Sequence, residues 1–124
     1  MTGLSLCLLA VAVPAWWLML YASEMARDLF VNPAAWGRLQ PFLYADLGLT
    51  AITALAGVRS LGGSLSATIV GLTVGGWAYA TLWTVGAAID GSLSALGTTL
   101  MLVAFTLVST ACHALVSPRR ARER

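Results

Sequence analysis

Charged side chains divide the chain into four apolar blocks. Residues 1–23 hold none, 42–58 hold only Asp46, and 60–89 and 91–118 hold none. A helix needs about 20 residues to cross the hydrocarbon core of a bilayer. The pattern therefore predicts membrane-spanning helices at about 4–22, 41–59, 65–88 and 93–116. Gly62, Gly63 and Ser64 predict a turn between the second and third, and Asp90, Gly91 and Ser92 a tight turn between the third and fourth. Only the segment 23–40 is long enough for structure of its own. Met25 and Leu29 share one face there, which predicts a short interfacial helix over 24–31. Asn32 and Pro33 then read as the N-cap and first residue of a further turn ending near Arg38. The expected fold is all-α: an integral membrane four-helix bundle, one domain over residues 1–118 with a short basic tail at 119–124.

No basic residue precedes Arg27, and the first apolar run continues through Trp16, Trp17, Leu18, Met19 and Leu20. A secretory signal needs a basic start and a small-residue cleavage site. The first block is therefore expected to be a retained span. Four spans place both termini on one side. That side carries Arg59, Arg119, Arg120, Arg122 and Arg124, and the other carries Arg27 and Arg38. Positive residues concentrate in the cytoplasm. The reading is an inner-membrane protein with cytoplasmic termini, whose 23–40 loop and Asp90 turn face outward.

Composition narrows the chemistry. Of 124 residues, 59% are hydrophobic and 10% charged, whereas a soluble domain carries about 25% charged residues. A net charge of +2 provides no basic face for phosphates, so nucleic acid is excluded as a partner. All the basic residues are Arg, which excludes Schiff-base chemistry on lysine. The Lys-free, Ala-, Gly-, Leu-, Val- and Arg-rich composition fits a GC-rich bacterial genome. Cys7 and Cys112 are too few for a disulfide framework. With His113 alone beside them they give no metal-ligand spacing, and no cofactor or metal is expected.

Helices in lipid associate through close packing and polar contacts. In the third block Ala67, Gly71 and Gly75 form one row of small residues, and Gly76, Ala80, Thr84 and Ala88 a second. Gly71, Gly75, Gly76 and Ala80 are the expected helix-packing positions, toward another span or another copy. Asp46, Thr50, Thr53 and Gly57 share one face of the second block. Thr99, Thr106 and His113 recur every seven residues in the fourth. Both polar stripes are expected to face the interior, because an unpaired polar group in hydrocarbon is costly.

Asp46 is the most informative residue, since an ionisable side chain inside a span is a functional-site hypothesis by default. A helix starting at Pro41 places it roughly 7.5 Å inside. Its expected partners are a Trp, Tyr44 or Arg38. Trp16, Trp17, Tyr21, Trp36, Tyr44, Tyr79 and Trp83 gather toward the outer side, as an interfacial belt or as a pocket wall. Glu24, Asp28 and Asp90 lie on that side too, with Arg27 and Arg38 to pair with them. The candidate ligand-binding residues are Asp46, Glu24, Trp36, Tyr44 and Trp83. No catalytic constellation is present.

Two local patterns carry resemblances. Leu29, Phe30, Val31, Asn32 and Pro33, followed by residues 42–47 (Phe-Leu-Tyr-Ala-Asp-Leu), resemble a segment of small uncharacterised bacterial multi-span membrane proteins. More remotely, Tyr21 to Glu24, Pro33 to Trp36, and Asp46 resemble part of the EXPERA domain. That resemblance implies a pocket for a sterol-like or cationic amphiphile, with Glu24 and Asp46 as its acids. Four spans in so short a chain are also similar to small multidrug exporters, but their embedded acid stands in the first helix, which has none here.

The foremost functional expectation is a non-enzymatic membrane subunit or scaffold packed through small-residue faces. The alternative is a carrier or binding protein for a lipid or for a hydrophobic or cationic amphiphile, using an outer-leaflet pocket with Asp46. The third is a lipid-modifying enzyme. The expected partners are membrane lipids and a second copy or other membrane subunit.

Overall fold

The computed structural model describes residues 2–122, with side chains for 2–114. The fold is all-α. Four long helices dominate: α1 (Thr2–Ala22), α4 (Phe42–Leu61), α5 (Ala67–Ile89) and α6 (Ala95–Arg122), with α2 (Glu24–Phe30), a 3-10 turn (Pro33–Ala35) and α3 (Trp36–Leu39) between the first two. The helix boundaries lie close to the blocks drawn by charge, except that α6 continues six residues past position 116. The side chains of the basic tail 119–124 lie outside the described residues.

Helices α1, α4 and the stretch Ala95–Ala114 of α6 are long and apolar enough to cross a membrane. Helix α5 is as long, at 23 residues, but it buries Thr73, Thr81 and Thr84. Each of these hydroxyls donates to the carbonyl one turn back, at 2.8 Å. That local bond satisfies the hydroxyl without a partner helix. Helix α1 packs against α4 and α6, and α5 packs against the same two.

The connections have identifiable local causes. Ser23 stops α1 and caps α2, its Oγ accepting from the Ala26 N–H. Asn32 caps the 3-10 turn, its Oδ1 accepting from the Ala34 N–H at 3.0 Å, and Pro33 follows with its φ already fixed. Gly63 and Gly91 turn the chain at φ +71° and +78°, a region that costs other residues strain. The segment after α2 is fastened to the α5–α6 turn. Val31 pairs antiparallel with Leu93. The Asn32 N–H donates to the Ser92 carbonyl at 2.9 Å, and the Ser94 N–H to the Phe30 carbonyl at 2.8 Å. The Asn32 side chain adds a bond to the Gly91 carbonyl at 3.3 Å.

Two apolar clusters fill the interior. One joins Leu6, Leu49, Ala56, Leu65, Trp77, Val108, Ala111 and Cys112. The other joins Trp17, Leu20, Val31 and Leu39 beneath the fastened segment. The closest helix approach is between α1 and α4. A Cβ added to Gly57 would stand 2.6 Å from the Cys7 Sγ and 3.1 Å from the Gly3 carbonyl oxygen. The Gly3 Cβ would stand 2.9 Å from Leu61.

Two packing expectations need correction within the chain. Gly71 and Gly75 are exposed, and an added Cβ at either meets nothing within 4 Å. Within the chain they form no packing face. Of the two α5 rows it is Gly76 and Ala80 that turn inward, and a Cβ on Gly76 would come 3.0 Å from Leu49. The α6 stripe also faces out. Thr99, Thr106 and His113 are exposed, with Thr99 and Thr106 bonding back to Ala95 and Leu102. Helix α6 is polar on that face because its own carbonyls satisfy the hydroxyls. The α4 stripe does point inward: Thr53 and Gly57 are buried, Asp46 and Thr50 half-buried.

Candidate functional site

Asp46 stands one turn into α4, on the inward face that also carries Leu49 and Thr53. The antiparallel α1 brings Trp17 opposite it, and the Trp17 indole N–H donates to Asp46 Oδ2 at 2.6 Å. This is a short, charge-assisted geometry across two helices. The expected alternatives are corrected: Arg38 and Tyr44 do not hold Asp46. Arg38 sits in the fastened segment and donates to Ser92 Oγ at 3.5 Å. Tyr44 is two residues away on the helix, so its side chain leaves on another face, 78% exposed.

Two turns below, Trp77 of α5 donates its indole N–H to Thr53 Oγ1 at 2.9 Å. Thr53 passes its own proton to the Leu49 carbonyl at 2.7 Å. Trp77 is 1% exposed and so is held at fixed depth. Above it, Trp83 lies against Phe42 with ring centroids 3.8 Å apart. Trp16 meets Phe30 edge to face at 4.5 Å. Trp36 closes the top, 6.2 Å from Trp17 and 5.1 Å from Tyr21 by centroids. The Arg27 guanidinium covers its ring at 5.0 Å.

These rings wall a cavity of about 210 Å³ that extends between α1 and α6 to the exposed Ala12 and Leu100. All five tryptophans of the chain, Trp16, Trp17, Trp36, Trp77 and Trp83, line it, together with Asp46 and Thr84. Aliphatic side chains complete the wall, among them Leu20, Val31, Leu39, Leu49, Leu93 and Met101. Asp46 is the one charged residue in the lining. Its Oδ2 is taken by Trp17, and the cavity offers it no counter-ion.

The sequence-derived site residues divide. Asp46, Trp36 and Trp83 are brought together. Tyr44 and Glu24 are not. Glu24 is 89% exposed and, among the described residues, pairs with Arg27, one turn on, at 3.7 Å. Of the two acids that the EXPERA resemblance singles out, only Asp46 reaches the cavity. Trp17 and Trp77 are the functional residues that site selection missed. Trp77 had a readable signal: it shares a helical face with Thr73, Thr81 and Thr84, the polar side of α5. Among the described residues, no group of three His, Cys, Asp or Glu side chains is arranged to hold a metal ion.

Asp90 belongs to the rim. Its carboxyl is held below its ordinary value of 3.8 by hydrogen bonds from Ser92, the hydroxyl first and then the backbone N–H, with a smaller attraction from Arg38. The Ser92 N–H donates at 2.9 Å. Charge at the turn thus supports the clasp that roofs the cavity. Comparison with family models, with curated proteins and with solved structures finds no match to this chain.

Proposed function

We propose that this chain is a four-helix inner-membrane protein that binds a small amphiphile, with a cationic group, in the tryptophan-walled cavity at its outward end. One observation carries the reading. Five tryptophans from α1, α3 and α5 converge on one cavity whose single charge is Asp46. Indole rings offer an apolar wall with an electron-rich face, which attracts organic cations. A carboxylate with no cation beside it supplies the complementary charge. Apolar walls with a few placed polar groups are the usual anatomy of a small-molecule site.

The Asp46→Asn variant tests it. Asn keeps the shape and an oxygen for the Trp17 N–H, so folding and membrane insertion stay near wild type. Affinity for cationic amphiphiles falls about ten- to a hundredfold, the range of a lost charged hydrogen bond. Thermal shift and intrinsic fluorescence against a panel of lipids and alkylammonium compounds read both quantities. Unchanged responses across the panel overturn the proposal. An unfolded Asp46→Asn reassigns Asp46 as a structural partner of Trp17.

A second reading has its own observation. The exposed small-residue edge at Gly71 and Gly75 permits close approach of another helix, as a scaffold or homo-oligomer would require. Gly71→Leu and Gly75→Leu would then reduce oligomer size while leaving the monomer's thermal stability unchanged.

A further inference from the structure

The tryptophan chamber has a neighbour. A second cavity, of about 260 Å³, lies between α4 and α5. The two share one wall, made by Asp46, Leu49, Trp83, Thr84 and Met101. Beyond that wall the second cavity runs between small residues: Ala45 and Gly48 on α4, Gly76 and Ala80 on α5. Ala45 and Gly48 are exposed, and a Cβ at Gly48 would meet nothing within 4 Å. This flank therefore opens away from the protein, along the side of two helices.

The outward end is built differently. There the Val31–Leu93 pairing, the Asn32 and Ser94 backbone bonds and the Arg38–Ser92 bond close the roof over the chamber. A molecule arriving from water would have to break that clasp. The chamber also opens along the seam of α1 and α6, where its lining residues Ala12 and Leu100 are exposed, but that side offers only apolar side chains. The α4–α5 gap is the side on which a molecule dissolved in the bilayer meets Asp46, with Trp83 at the boundary. Trp83 stands in the shared wall with the Phe42 ring against it, 3.8 Å between centroids.

We propose that the chamber is loaded sideways, from the bilayer, through the α4–α5 gap, by a single-chain amphiphile. Its polar head passes Trp83 to reach Asp46, and its alkyl chain remains between α4 and α5. This rests on the binding function proposed above. The chemistry fits a chain with one polar end: the gap is lined by apolar and small side chains apart from Asp46, which lines both spaces.

The test uses the full chain in lipid nanodiscs and (11-bromoundecyl)trimethylammonium, whose bromine quenches tryptophan fluorescence. Saturable quenching in wild type that is weakened in Asp46→Asn establishes binding. Without it, the binding function itself fails, whatever the route. Two changes then separate the routes. A Val31→Cys, Leu93→Cys pair, oxidised, locks the roof, with the reduced sample as its control. Gly48→Phe fills the gap from an exposed position, and Ala45→Phe does so from one turn nearer the roof if the first fails to fold. The expected result is the same quenching rate in the oxidised and reduced forms of the double-Cys protein, whatever the cavity change costs both, and a rate about tenfold below wild type on filling the gap. Slowing on oxidation, or an unslowed gap-filled variant, overturns the side entrance.

Discussion

At the residue scale, the tightest constraint lies far from the cavity, where Gly57 lets α4 touch α1. Its missing side chain leaves room for Cys7, whose Sγ would stand 2.6 Å from an added Cβ, with the Gly3 carbonyl behind it. Gly57→Val should lower stability by about 1–3 kcal/mol, the usual cost of overpacking. Gly71→Leu, with open space around it, should leave stability unchanged. Thermal denaturation of the two purified variants gives the comparison. Trp77→Phe should be milder. It removes the Nε1–H bond to Thr53 but leaves Thr53 its own bond to Leu49, so a loss of roughly 0.6–1.7 kcal/mol is expected for an interhelical bond in lipid. A larger loss would mean that the indole also holds the cavity open. The small-residue rows in α5 were readable in the sequence, but not which row turned inward. Both rows have the same spacing, and only the pairing of α5 with α4 and α6 selects Gly76 over Gly75.

At the element scale, the clasp between residues 31–32 and 92–94 joins two segments 60 positions apart, and no local pattern announces it. The caps that prepare it were legible, because Asn32-Pro33 and the Asp90-Gly91-Ser92 turn are local chemistry. The antiparallel pairing of Val31 with Leu93 was not, because it depends on how the four long helices bring their ends together. A Trp was an expected partner of Asp46, but which Trp it would be escaped for the same reason. Asp46 identified itself as a charge in an apolar block, while its partner stood on another helix among several equivalent aromatics. The clasp carries a pH signature. Asp90 is held below its ordinary value of 3.8 by Ser92 and then Arg38. A lowered value means that the ionised form favours the folded state. That support is complete above the ordinary carboxylate range and is lost as pH falls through the lowered value. The protection factors of the Asn32 and Ser94 amides, taken against the intrinsic exchange rate at each pH, should therefore fall in acid in the wild type. In Asp90→Asn, which keeps an oxygen for the Ser92 N–H but has nothing to titrate, they should not. An equal fall of protection in both proteins would remove Asp90 from the clasp.

At the scale of the whole molecule, the open question is how many helices cross the bilayer. Three of them are apolar enough to do so alone, and a three-span reading would leave α5 on one surface and put the termini on opposite sides. The connections argue otherwise. The clasp holds the α5–α6 turn beside the loop that joins α1 to α4, so the C-terminal end of α5 lies at that loop's end of the molecule. The N-terminal end of α5 follows the Gly62–Gly63 turn, at the far end of α4. A 23-residue helix with one end at each pole runs the full length between them, in contact with α4 and α6. If α1 and α4 cross, α5 crosses beside them, its threonine hydroxyls bonded within the helix and its buried Trp77 bonded to α4. On the four-span topology proposed above, the C-terminus returns to the side of the N-terminus. That side carries five of the seven arginines in the sequence, the side the positive-inside rule assigns to the cytoplasm. A C-terminal alkaline phosphatase fusion should therefore be inactive and a C-terminal fluorescent-protein fusion bright. Fusions at Gly37, in the loop at the clasped end, should give the reverse pair. An active phosphatase at the C-terminus together with an active one at Gly37 would mean that α5 does not cross, and the cavity between α4 and α5 would then have to face water rather than lipid.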